Sequence, residues 1–75
     1  MNNTRRKAIR KVIEELEALS SRIDDLRDEE QDYLDNIPEN LQASERYSDA
    51  ETAVDNLDSA VNAVDEAISM LEEAL

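Results

Sequence analysis

Residues 28–44 read Asp-Glu-Glu-Gln-Asp-Tyr-Leu-Asp-Asn-Ile-Pro-Glu-Asn-Leu-Gln-Ala-Ser, DEEQDYLDNIPENLQAS, and hold the only proline of a 75-residue chain that has no glycine. Proline cannot continue a helix interior and biases the residue before it out of the helical region, so a helix arriving from the N-terminal side ends near Asn36. Asn36, Asn40 and Ser44 are residue types that cap helices and close turns, and Ser48 with Glu51 fits a capping box as an alternative start. A second helix therefore begins between Pro38 and Ser48. Asp28, Glu29, Glu30, Asp32, Asp35 and Glu39 crowd around the break. They are either a site or the solvated bend of a hairpin.

On both sides of the bend the apolar residues fall on a seven-residue grid. Before it, one column is Ile9, Leu16, Ile23, Glu30, Ile37 and the other is Val12, Leu19, Leu26, Tyr33. These are the a and d positions of a coiled-coil seam, broken only at Glu30. After the bend the columns resume as Tyr47, Val54, Val61, Ile68, Leu75 and Ala50, Leu57, Val64, Leu71. The spacing predicts an all-α fold: helices over residues 4–36 and 44–75, joined by a turn over 37–43, as one antiparallel two-helix hairpin forming a single domain. Folding back about a centre near Gln42 sets Leu16 against Ile68, Ile23 against Val61, Leu19 against Val64 and Leu26 against Leu57. Every other layer pairs about the same centre, and that centre lies where the turn chemistry independently places the bend.

A chain this short buries little apolar surface, so a partner chain is expected. The sequence indicates where. Immediately before the a positions of the second helix from Val54 onward stands an alanine (Ala53, Ala60, Ala67, Ala74), whereas the other flank of that seam is acidic (Glu51, Asp58, Asp65, Glu72). Small side chains repeated along one helical edge admit a neighbouring helix, and a lone hairpin has none to offer. With Ile13 and Leu34 beside the seam of the first helix, these alanines are the candidate interface of a homodimer, a twofold four-helix bundle. The alternative is a groove for a helix of another protein.

Net charge is −12, from 20 Asp and Glu against 8 Lys and Arg. Such a balance opposes non-specific binding to nucleic acid or anionic membrane and favours a basic protein partner. Arg5, Arg6, Lys7, Arg10 and Lys11 form one N-terminal block, and nothing after Arg46 is basic. In the hairpin register this block lies beside Asp65, Glu66, Glu72 and Glu73, so mutual neutralisation is expected. As a phosphate-binding arm the block lacks interleaved aromatic residues. The acids of both helices are either an imitation of a phosphate ladder or a solvated outer face. No apolar run is long enough for a signal peptide, and a cytoplasmic location is expected.

Chemistry is constrained by what is missing. There is no histidine, cysteine, tryptophan or phenylalanine. Without histidine the usual nucleophile–base pair and the Glu-x-x-His spacing of bundle metal sites cannot be built. Without glycine, EF-hand calcium loops and phosphate-cradling loops are excluded. No enzyme, cofactor or metal is expected. Glu30, the one acid on the seam, is read either as a register-fixing residue or receptor for a partner's arginine, or as a residue satisfied by Arg27 or Arg46.

The run from Asp28 to Leu75 resembles a group of small acidic helical-hairpin proteins encoded by bacteriophages and prophages. The residues that carry the resemblance are Pro38-Glu-Asn-Leu-Gln-Ala-Ser-Glu-Arg46, a PENLQ-x-SER turn, followed by a helix rich in acids, alanine and leucine. It implies a phage or mobile-element origin and carries no residue roles. Two functions are then expected. One is an interaction protein that binds and modulates a host protein, a nucleic-acid-handling or antiviral-defence factor, with Glu30, Asp32, Asp35, Pro38, Glu39, Arg46 and Tyr47 at the bend as the partner-binding residues. The other is a self-assembling bundle serving phage assembly or scaffolding.

Overall fold

The computed structural model describes all 75 residues. Two long helices, α1 (Asn3–Asp35) and α2 (Glu45–Glu73), pack against each other as an antiparallel hairpin with extents of 60 × 15 × 12 Å. Their bounds fall within two residues of those that proline, cap residues and heptads predict.

Side-chain caps set the helix starts. Asn2 has extended backbone, and its Oδ1 accepts from the Arg5 N–H at 2.7 Å. Ser44, also extended, accepts from the Tyr47 N–H at 3.4 Å. Each thereby satisfies one of the free donors of a first helical turn. At the far end of α1, Asn36 Nδ2 donates to the Asp32 carbonyl at 2.7 Å, and Pro38 (φ −56°, ψ 146°) then takes the chain out of helical space. A single 3-10 turn, Glu39–Leu41, redirects it, held by the Leu41 N–H donating to the Pro38 carbonyl at 2.9 Å. No residue adopts positive φ, so the bend closes without the left-handed position that glycine usually fills.

The antiparallel register shows in two side-chain hydrogen bonds one heptad apart. Ser20 Oγ donates to Asp65 at 2.9 Å, and Arg27 Nε donates to Asp58 at 2.8 Å. Seven residues forward on α1 correspond to seven backward on α2. The midpoint of both pairs lies between Gln42 and Ala43, within a residue of the centre expected from the layers.

The face that α1 turns toward α2 differs from the expected one. On α2 the a and d columns face inward as the heptads predict, with Ala50, Val54 and Ile68 buried. On α1 the inward columns are a and e. Ile9, Leu16 and Ile23 are half-buried, Ile13 is 8% exposed, and Ser20, Arg27 and Leu34 are half-buried beside them. The d column that should have completed the seam stands open instead: Val12 is 43% exposed, Leu19 46%, Leu26 53% and Tyr33 46%. The cause is shared between the α2 carboxylates and α1 itself. Its apolar arc covers three heptad columns, wider than one neighbouring helix can cover, and a seam on a and e sets Arg27 and Ser20 within reach of Asp58 and Asp65. Ile13 and Leu34, expected at the homodimer interface, belong instead to the intramolecular seam.

Ile13 and Ile68 lie toward the open end of the buried layer, and Ile37 closes it over the bend. Ile68→Ala removes three carbons from a packed layer and should cost about 2 kcal/mol or more in urea denaturation followed by circular dichroism. The exposed neighbour Ser69→Ala should stay within about 0.5 kcal/mol. Ser44→Ala should cost about 1 kcal/mol through loss of the α2 cap.

Candidate interaction surface

Every candidate residue at the bend lies on the closed end of the hairpin. Asp32 and Asp35 are exposed on the last turns of α1, Pro38 and Glu39 are exposed in the turn, and Arg46 is exposed on the first turn of α2. Tyr47 is half-buried, its backbone N–H engaged by the Ser44 cap. Asp35 is steadied from its own helix by Gln31 Nε2 at 2.8 Å. Here the surface is convex and has no cavity, and no three carboxylates converge closely enough to hold a metal ion. Such a surface can be bound by another protein, but it cannot enclose a small molecule.

Glu30 is half-buried on the seam, as its heptad position predicts, but it accepts no side-chain hydrogen bond and forms no ion pair. The expectation that Arg27 or Arg46 would satisfy it is corrected by the geometry. Arg27 turns instead to Asp28 at 3.2 Å and to Asp58 across the seam at 2.8 Å. These neighbours raise its pKa above the ordinary arginine value. The hydrogen bond that Arg27 donates to Asp28 contributes most, then the one it donates to Asp58 and the Asp58 charge, with desolvation acting the other way. A raised guanidinium pKa gives stability that is present below the unfolded value and lost only as pH climbs through the folded one. The cation is therefore in place at every working pH.

The N-terminal block departs further from expectation. None of Arg5, Arg6, Lys7, Arg10 or Lys11 forms an ion pair with the acidic end of α2. Arg6 lies half-buried in line with the e column, and its Nε is buried without a hydrogen-bond partner. The rotated seam spends the e column on the hairpin interior, so the one cation it aligns with an α2 carboxylate is Arg27.

Among the alanines, Ala53, Ala60 and Ala67 are half-buried and Ala74 is exposed. The surface that sequence reasoning missed is the open column Val12, Leu19, Leu26, Tyr33, four large side chains aligned along one side of α1. A signal for it was present, since Ile13 and Leu34 gave α1 a third apolar column and hence more apolar arc than one seam uses. No helix is long and apolar enough to cross a membrane. The chain matches no model of a protein family, no curated protein and no solved structure.

A double-mutant cycle of Arg27→Met with Asp58→Asn should report favourable coupling at low salt that shrinks as ionic strength rises, and that persists at alkaline pH. Absence of coupling at low salt would show that the two side chains do not meet in solution.

Proposed function

We propose that this chain is an interaction protein of phage type, with no chemistry of its own, that binds a basic surface of a host protein through its acid-rich bend and modulates that protein by occupying the surface. The observation that carries this reading is the state of the carboxylates. Of 20 acidic side chains, only Asp28 and Asp58 are engaged in ion pairs. Asp24, Asp28, Asp32 and Asp35 recur at helical spacing on the outside of α1, about 6 Å apart per four residues along the axis. With Glu39 they leave a dense negative field at the end of the molecule that carries the PENLQ-x-SER turn. A row of carboxylates suits a surface made to hold phosphates, so a nucleic-acid-handling or antiviral-defence factor is the target class.

A second reading is supported by a different observation. The open apolar column on α1 is what a self-assembling structural bundle needs, and such a bundle has no host target. The two readings separate on the acids. With Asp32→Asn, Asp35→Asn and Glu39→Gln combined, a host protein retained by the wild-type chain at low salt should no longer be retained, while helicity is unchanged. Equal retention by wild type and triple variant would dismiss the bend as the binding surface. Retention of nothing beyond what an unrelated acidic coiled coil retains would leave the structural bundle as the function.

A further inference from the structure

We propose that a second copy of this chain covers the open column. The twofold axis runs along the length of the hairpin, and the Val12–Leu19–Leu26–Tyr33 ridge of each copy lies against the alanine row of the other. This inference is independent of the acid-surface reading, because it rests on the open apolar column and not on the carboxylates.

The flank follows from the two inter-helix hydrogen bonds. Ser20 with Asp65 and Arg27 with Asp58 join e positions of both helices on one side. In an antiparallel pair, the positions turned away from e on each helix then share the other side. On α1 that is the open column, and on α2 it is Ala53, Ala60, Ala67 and Ala74. A ridge of large side chains thus runs beside a trough of small ones on a single face.

Their heights match. Mirrored about the midpoint between Gln42 and Ala43, the levels of Val12, Leu19, Leu26 and Tyr33 fall within one residue of Ala74, Ala67, Ala60 and Ala53. A twofold axis along the helices leaves every level unchanged, so each large side chain of one copy meets a small one of the other. An axis across the helices would stack ridge on ridge and trough on trough, leaving voids that close packing does not tolerate. The chosen arrangement also makes every neighbouring helix antiparallel, the favourable alignment of macrodipoles in a bundle.

Charge permits the approach. The α2 trough is continued outward by Asn56, Ala63 and Met70, with Asp49 near the bend the one charge in that column, while Glu51, Asp58, Asp65 and Glu72 occupy the other flank. Two chains of −12 each can therefore meet without apposing their acidic columns.

Surface area requires a partner of about this size. The hairpin exposes 5602 Å², whereas a compact monomer of its 8.5 kDa mass exposes roughly 4,650 Å². The excess of about 950 Å² is close to the roughly 800 Å² per partner that a standard stable interface buries. Turning e rather than d toward α2 also leaves four large side chains half-open, an arrangement that is favourable in apolar area only if something else covers them.

Sedimentation equilibrium of the full chain should give a monomer–dimer equilibrium that closes at twice the 8.5 kDa chain mass. Association should tighten from low salt to about 0.5 M NaCl, because screening relieves repulsion between two acidic chains. Leu19→Glu with Leu26→Glu, both at exposed positions, should retain helicity and weaken association by at least about 100-fold. Ala60→Glu with Ala67→Glu attacks the trough and should do the same. The chain has no cysteine, so single reporters give the axis. A short bismaleimide should join Leu26→Cys chains to Ala60→Cys chains in a mixture far better than it joins Leu26→Cys chains to each other. A wild-type monomer at all concentrations, a dimer indifferent to both charge pairs, or preferential Leu26→Cys homodimer cross-linking would each overturn the proposal. Salt-weakened binding of a basic partner, with no self-association, would leave the acid-surface reading standing alone.

Discussion

Two helices can cover only one strip of each other, and every other feature of this molecule depends on which strip α1 gives to α2. The strip is a single apolar layer, with Ile13, Ile37, Ala50, Val54 and Ile68 its buried members. Ser20–Asp65 and Arg27–Asp58 pin its edge from one side. Once they are in place, the seam on α1 is a and e, Leu34 and Ile13 are inside, and the d column is outside. The open ridge on α1 and the pairing of Arg27 with Asp58 both follow from that rotation.

Much of this was legible in the sequence because its causes are local. Pro38 stops α1, Ser44 caps the start of α2, and heptads of branched and aliphatic residues make α2 face inward along a and d. Even the register could be read, since one centre satisfied every layer and the turn chemistry named the same centre. The rotation of α1 could not be read in that way. Its d column is as apolar as a seam should be, and preferring a and e means placing Arg27 and Ser20 half inside. That choice is a property of the pair of helices, set by carboxylates on α2 that no pattern within α1 reveals. The basic block misled for a related reason: proximity along two antiparallel helices does not align individual charges once one helix turns about its axis.

The bend presents a different balance. Glu30 sits on the seam without a partner, and the carboxylates beyond it are unneutralised within the chain, so this end of the hairpin is held together by backbone caps and Ile37 rather than by charge. The two proposed roles therefore draw on different side chains, the open column for association and the bend acids for recognition. One molecule can self-assemble along its length and still offer its bend.

The rotated seam is tested most directly by solvent paramagnetic relaxation of side-chain methyl groups, measured on dilute protein where any dimer has dissociated. Methyl groups of Ile13, Val54 and Ile68 should be protected from a soluble relaxation agent, while those of Val12, Leu19 and Leu26 should be strongly relaxed and gain protection as concentration rises. Equal protection of Leu19, Leu26 and Ile13 in the dilute sample would mean that d, and not e, faces α2.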